Sequence, residues 1–337
     1  MKAVVQYKYG PPDKVLQLRD VEQPVPKDDE VLVRVHAASM HTDIWTAITG
    51  VPLINRLLFS GLRRPTNPIA GSDLAGHVEA IGKSVTRFNI GDEVFGESGK
   101  YGWCNGGAFA EYASVREDFL ALKPKNVSFE QAAAVPASGL IVITNLDAIG
   151  KIRSKRNVLI NGAGGCVGMF SIQIAKFFGA KVTAVDAENK LELIRSLGAD
   201  RVVDYVKEDA TRSDQRYDLV FDIASNLSLS DYKRVLTPDG KFVRVGHAHY
   251  GKTGRRLMGD IPSFIGLVLR APFDPHMGKL TEFRLPKKHE AMEVLRHFLE
   301  SGVITPIVAK TFPLDQVPEA IRCMQAGTAL GRIIITP

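Results

Sequence analysis

The segment Asn161-Gly162-Ala163-Gly164-Gly165-Cys166-Val167-Gly168 constrains this chain more than any other. A β-branched apolar run, Val158-Leu159-Ile160, leads into it, and an apolar stretch of helical spacing, Val167 to Phe178, leads out. A second strand pattern, Lys181 to Val185, follows. Ala163, Gly165 and Gly168 satisfy A-x-G-x-x-G, a variant of the dinucleotide fingerprint. Small residues allow a tight turn and let the backbone approach a pyrophosphate. The helix start that follows offers free N–H groups and a partial positive charge. Glycine-rich turns also join strands to helices without holding any ligand. The order strand, turn, helix, strand favours a nucleotide site built from Ala163, Gly164, Gly165, Cys166, Val167 and Gly168.

The second strand ends at Asp186, 18 residues beyond Gly168. A carboxylate there accepts from both ribose hydroxyls and repels a 2′-phosphate, which favours NADH. The plainer reading is an acid that stabilises the start of the next helix. Lys190 and Tyr205 pull the other way, since each has the reach to meet a 2′-phosphate, and each reads equally well as a surface residue. The balance prefers NADH slightly over NADPH.

Around this unit the pattern is α/β. Short strands at Arg201-Val202-Val203, Leu219-Val220-Phe221 and Lys241 to Val245 alternate with helical segments such as Lys190 to Leu197. That alternation predicts right-handed βαβ crossovers and a doubly wound parallel sheet. Phe129 to Ile149 is Ala- and Leu-rich with helical spacing, and helical periodicity returns at Lys287 to Leu299 and Leu314 to Met324 before a last strand, Arg332 to Ile335. The first third differs. Strand patterns at Met1 to Tyr7, Val15 to Val21 and Val31 to His36 are punctuated by Gly and Pro, as in a compact irregular barrel. Val51 to Pro68 follows neither period and reads as a long loop or short helix beside a site. Phe264 to Phe273 reads as a packed helix or a substrate-loop wall in preference to a membrane anchor.

With 337 residues, 45% hydrophobic and 24% charged, the chain is long enough for two domains and too apolar to be disordered. The formal charge of +6 suits an anionic small ligand without requiring nucleic acid. Three cysteines, Cys104, Cys166 and Cys323, are too few and scattered for a structural zinc cluster and favour a reducing compartment. The longest apolar stretch, Ile261 to Leu269, is far short of a bilayer span. A cytoplasmic location follows as the expectation. Cys104 beside Trp103 reads as a reactive thiol only if something lowers its pKa, and nothing nearby in sequence does. His247 and His249 alternate and admit a two-histidine metal site, although loop histidines are commoner. His36 reads as structural.

Further markers accompany the turn: Gly71-Ser72-Asp73-Leu74-Ala75-Gly76, Gly91-Asp92-Glu93-Val94-Phe95-Gly96, Gly106-Gly107-Ala108-Phe109-Ala110-Glu111-Tyr112 and Leu197-Gly198-Ala199-Asp200. With these the chain resembles the medium-chain dehydrogenases/reductases, in their zinc-independent quinone oxidoreductase-like branch, over essentially its full length. The resemblance implies a GroES-like irregular β-barrel catalytic domain with an inserted Rossmann doubly wound parallel-sheet domain. Residues 1–128 would open the catalytic domain, 129–275 would bind the dinucleotide, and 276–337 would return to the first. Ile141, Val245 and Gly246 would flank the nicotinamide.

Zinc-dependent relatives carry a ligand Cys where this chain has Met40, ahead of His41-Thr42-Asp43. Their Gly-His-Glu is here Gly71-Ser72-Asp73, and their third ligand falls near Ala137. A thioether, a hydroxyl and a methyl group do not make a zinc site, so no zinc and no other metal is expected. Without metal, an activated acceptor such as a quinone or a conjugated enone is the natural substrate, and a hydroxyl or imidazole would stabilise the oxygen that gains charge. His41 and Thr42 are the first candidates, with Asp43 and Ser72 in support. The alternative is that His41 and Thr42 only hold loop backbone. The implied activity is an NAD(P)H-dependent reductase of a quinone, enone or other carbonyl, its partners a small molecule and a second copy in a homodimer, with no membrane. Two rival readings remain: a metal-free alcohol dehydrogenase or carbonyl reductase, and a nucleotide-binding protein without turnover.

Overall fold

In the computed structural model the described residues are 1–99, 104–148 (backbone alone for 146–148), 156–246, 257–259, 261–277 and 287–337. Trp103, His247 and His249, singled out in the sequence, lie outside them. The strands in chain order are β1 (Lys2–Val5), β2 (Gln17–Asp20), β3 (Glu30–Met40), β4 (Asp73–Ile81), β5 (Glu93–Glu97), β6 (Tyr112–Arg116) and β7 (Leu120–Leu122). They continue with β8 (Asn157–Asn161), β9 (Lys181–Asp186), β10 (Arg201–Asp204), β11 (Tyr217–Asp222), β12 (Leu236–Arg244), β13 (Val308–Pro313) and β14 (Arg332–Thr336).

β8 to β12 form a parallel sheet in the order β10-β9-β8-β11-β12. The order reverses between β8 and β11, which opens a crevice beyond their carboxyl ends. Both faces are covered, as a parallel sheet requires. Val158 and Ile160 of β8 point into one core with Phe170 and Ile174, while Leu159 joins Val185, Val220 and Tyr232 on the other side. Met277 bridges Phe242 in parallel at the β12 edge.

The second large sheet runs β13-β14-β3-β4-β5-β7, with β6 also on β3. β3 is 11 residues long and shifts register against β4 at Leu32/Val33 and Val35/Ala37. Such irregularities bend a strand. Its first half therefore pairs with β6, and Ala38 to Met40 pair with β14. The irregular barrel expected for the first third is thus closed by strands from the far end of the chain.

Helices join the two sheets. A capping box of Ser128 and Gln131 starts the helix Phe129–Ala133, and Pro136 starts a second, Pro136–Ala148. The single helical run read in the sequence is therefore two elements, because proline tolerates only the first turn. Together with Lys288–Glu300 these helices pack Ala132, Met292 and Leu295 between Ala37, Ala75 and Phe95 of the barrel and the parallel sheet. Residues 51–68 contain a short helix, Leu53–Asn55, continued by a π-turn, Arg56–Ser60. Ile261–Arg270 is helical, and no residue of it is fully buried. The helix expected at 264–273 is packed only in part: Arg244 ties it down through Ser263 Oγ (2.9 Å), Leu267 and Val268 are half-buried, and Phe264, Ile265 and Leu269 face outward.

Candidate active site

The turn after β8 has the shape its glycines imply. Gly162 sits at φ +85°, and the N–H groups of Gly162 and Ala163 both donate to Val185 O (3.0 and 3.1 Å), which locks the turn to β9. A side chain on Gly168 would place Cβ 2.5 Å from the Ala163 backbone, so only glycine lets the helix Cys166–Phe177 come this close. Gly165 is different. It is exposed, and a Cβ there meets nothing nearer than Gly162 O at 3.8 Å. Open space therefore stands before the start of the helix, where the first-turn N–H groups lack intrahelical partners. These residues suit a dinucleotide pyrophosphate.

Asp186, Lys190 and Tyr205 are brought together at the ends of β9 and β10. Asp186 Oδ2 accepts from Gly164 N–H (2.7 Å), Oδ1 accepts from Ala187 N–H (2.8 Å), and Lys190 Nζ lies 3.4 Å from Oδ1. The Asp186 carbonyl accepts from Tyr205 N–H at 3.3 Å, and the Tyr205 ring is exposed. The carboxylate thus faces the turn with an ammonium beside it.

At the crevice, Asn161 Nδ2 lies 2.8 Å from each of Asp222 Oδ1, Asn226 Oδ1 and Tyr232 Oη and donates its two protons within this group. This buried network joins β8 to β11, and burial raises the Asp222 carboxyl above its ordinary value. Ser225, at φ +52°, donates from Oγ to Gly246 O (2.7 Å). Gly246 is pressed so close to Ile223 O that a Cβ could not be accommodated. Val245 and Gly246 therefore sit on the rim of the crevice. Ile141 lies on a separate element, the helix Pro136–Ala148.

His41, Thr42 and Asp43 link β3 to the helix Ile44–Thr49. His41 is 6% exposed; its Nδ1 accepts the Asp43 N–H (3.2 Å) and lies 3.3 Å from Asp43 Oδ2. The backbone N–H favours a bare Nδ1 and the carboxylate a protonated one; both contacts engage Nδ1 and leave Nε2 outside them. Thr42 is exposed. Ser72 is buried, and its carbonyl accepts from the N–H and hydroxyl of Ser98 (2.7 and 2.8 Å). Since Ser39 pairs with Asp73 across β3 and β4, Met40 and Ser72 lie next to one another.

The residue that sequence reasoning missed is Asp73. It is fully buried, accepts from Ser39 Oγ (3.2 Å) and Ala137 N–H (3.3 Å), and lies 3.9 Å from Arg332 Nη2. Burial pushes its carboxyl up from 3.8 to about 6, against the pull of Arg332 and with help from the nearby Glu97. Arg332 is itself buried and donates to Ala134 O (3.2 Å), Met40 O (3.2 Å) and Ser138 Oγ (2.6 Å). Arg332 thus fixes the end of β3, just ahead of His41, against the start of Pro136–Ala148. The signal was an acid at Gly71-Ser72-Asp73, noted as a marker and not as a site.

Met40, Ser72 and Ala137 converge around Asp73, and their thioether, hydroxyl and methyl groups do not suit zinc. Among the described residues no three His, Cys, Asp or Glu side chains are grouped to hold a metal ion. Other candidates resolve into structure. His36 Nε2 meets His77 Nδ1 at 2.9 Å and stacks on Phe129, and burial lowers its pKa. Cys104 has its thiol pushed up by burial, which makes it less reactive.

A sheet that carries the His41 loop at the end of β3, with a parallel sheet that carries a nucleotide-type turn after β8, defines a dehydrogenase class of fold. Residues 27–125 match the alcohol dehydrogenase GroES-like domain, and residues 197–335 match the family described as zinc-binding dehydrogenase. The chain belongs to the medium-chain dehydrogenase/reductase superfamily. It is 32% identical to the 2-methylene-furan-3-one reductase of Solanum lycopersicum, over all of this chain and 79% of that protein. It is also 32% identical to the chloroplastic NADPH-dependent alkenal/one oxidoreductase of Arabidopsis thaliana, over all of this chain and 80% of that protein. The quinone oxidoreductase of Coxiella burnetii shares the fold, with a TM-score of 0.82 at 24% identity over 100% of this chain and 99% of that one.

Proposed function

We propose that this chain is an NAD(P)H-dependent reductase that passes hydride to a quinone or an α,β-unsaturated carbonyl without zinc. The observation that carries the reading is an intact nucleotide turn in a superfamily member whose zinc-ligand positions hold Met40, Ser72 and Ala137. The names of the enone-reducing relatives support the substrate class.

Bound nicotinamide supplies the hydride; the chain's own residues bind, orient and stabilise. The first turn of Cys166–Phe177 takes the pyrophosphate, and Gly165 leaves room for it. Asp186 takes the ribose hydroxyls and so favours NADH over NADPH. Lys190, 3.4 Å from that carboxylate, offsets part of the repulsion toward a 2′-phosphate, so the preference is small. Hydride addition to a conjugated carbonyl leaves negative charge on its oxygen. His41 donates to that oxygen from Nε2, the ring nitrogen that its contacts with Asp43 leave unengaged. Thr42 is the exposed hydroxyl beside it, and Asp43 and Ser72 support the loop. Ile141, Val245 and Gly246 border the nicotinamide. Residues 1–128 and 276–337 form the substrate half and 129–275 the nucleotide half. The three free cysteines support a reducing, cytoplasmic location, and the outer strand β10 of the parallel sheet offers an edge for a homodimer.

The test is a panel of quinones, enones, ketones and alcohols assayed with both nucleotides on protein of measured metal content. Steady NADH or NADPH oxidation with quinones or enones by metal-free protein is the expected result. Activity that tracks bound zinc, or alcohol oxidation as the main reaction, overturns the proposal; so does nucleotide binding with no turnover.

A further inference from the structure

Two segments beside the candidate site expose apolar side chains in one region. Ile54 N–H donates to Leu257 O (3.0 Å), and Gly259 sits directly against Pro52. The helix Ile261–Arg270 begins from that turn, through Ile261 N–H to Met258 O (3.2 Å). Tyr9 Oη holds the other segment in place at Ser60 O and Gly61 O (2.8 and 2.7 Å). On this stitched surface Leu57, Leu58, Leu62, Leu257, Phe264 and Leu269 are each 57–70% exposed. Scattered exposed leucines are ordinary, whereas several large side chains on joined segments mark an interaction surface.

Charge selects among occupants. Residues 51–68 carry Arg56, Arg63 and Arg64 and no acid, while residues 257–273 carry Arg270 and one acid, Asp260. Arg63, Arg64 and Arg270 are exposed. A twofold contact between two copies would set this surface against itself, four arginines and a single acid facing the same set, so that like charge meets like. Apolar side chains rimmed by an excess of arginines instead match a lipid interface, where leucines and phenylalanines enter the acyl boundary and arginines meet anionic headgroups.

We propose, against the expectation of no membrane partner, that residues 53–64, 257–259 and 261–273 dock the protein on the surface of an anionic membrane, with the helix Ile261–Arg270 lying in the plane of the interface. The surface begins ten residues after Asp43 and is tethered to Arg244, next to Val245, so docking sets the candidate site against the lipid. Docking itself requires no turnover, so the proposal stands or falls apart from the reductase reading.

The experiment is flotation of the full chain with phosphatidylcholine vesicles, with and without about one third phosphatidylglycerol, at low salt and at about 0.5 M salt. The protein should float with anionic vesicles at low salt and be largely released at high salt. Each arginine near such a surface contributes about fivefold in partitioning, so Arg63→Ala with Arg64→Ala should weaken binding about 25-fold. Leu57→Ser with Phe264→Ser and Leu269→Ser should abolish it. Thermal midpoint and nucleotide affinity, which the proposal leaves unchanged in both variants, show that they are folded. Absence of flotation overturns the proposal, as does binding indifferent to both sets of substitutions. A stable dimer that the same substitutions dissociate, with no vesicle binding, assigns the surface to a second copy and also overturns it.

Discussion

Replacing Asp73 by Asn keeps the shape of the side chain and removes its charge. The amide oxygen still accepts from Ser39 Oγ and Ala137 N–H, and its NH2 takes the place of Oδ1, which has no partner. Arg332 keeps its contacts to Ala134 O, Met40 O and Ser138 Oγ. What changes is the response to pH. A carboxyl raised from 3.8 to about 6 in the folded chain gives stability that is complete below pH 3.8 and is lost as pH rises through 6. The gap, at about 1.4 kcal/mol for each pH unit, amounts to about 3 kcal/mol, of which about 2 kcal/mol falls between pH 4.5 and 7.5. Asp73→Asn lacks that loss, so its stability relative to the native chain should improve by this amount across the interval. For 337 residues about 2 kcal/mol corresponds to roughly 3 °C in Tm. Parallel urea titrations and thermal scans at half-unit pH steps measure the difference. A difference flat in pH refutes the reasoning. A native chain that gains on the variant as pH rises would mean that Arg332 outweighs burial.

Two substitutions probe the candidate site directly. Asp186→Ser removes the carboxylate and frees Lys190, and should raise the NADPH-to-NADH ratio of kcat/KM about tenfold; an unchanged ratio in steady-state assays means the side chain faces away from the ribose. His41→Ala should lower kcat by roughly two to three orders of magnitude, as loss of one oxyanion donor does, while nucleotide affinity holds. Equal losses in turnover and nucleotide affinity would assign His41 a purely structural part.

The nucleotide half was legible because its information is local. The spacing of Ala163, Gly165 and Gly168 specifies a turn, and the strands on either side are continuous apolar runs. The barrel was harder. β3 reaches Met40, four residues past the alternating run that ends at His36, because Ala37, Ala38 and Ser39 are paired with β4 and Ala38 to Met40 with β14. Small residues carry little strand preference of their own, so only their neighbours reveal them. The Asp73–Arg332 pair spans 259 positions, and no local pattern announces it. His41 is marked by the resemblance at Met40-His41-Thr42-Asp43, but the N–H that orients its ring belongs to backbone two residues away, which no side-chain pattern encodes. The apolar run at 264–273 reads as a helix or a loop wall, and its composition does not say which side is covered, since a helix that packs on protein and one that faces outward share the same spacing.

The bond from Arg332 to Met40 O joins residues 292 positions apart, and this has a consequence for the order of assembly during translation. At about 5–20 residues per second, roughly 15 to 60 seconds separate the emergence of Met40 from that of its guanidinium partner. β8 to β12 have by then all left the ribosome. The nucleotide half can be finished while the barrel still waits for its closing strand, so the loop that carries His41 is among the last parts of the nascent protein to settle.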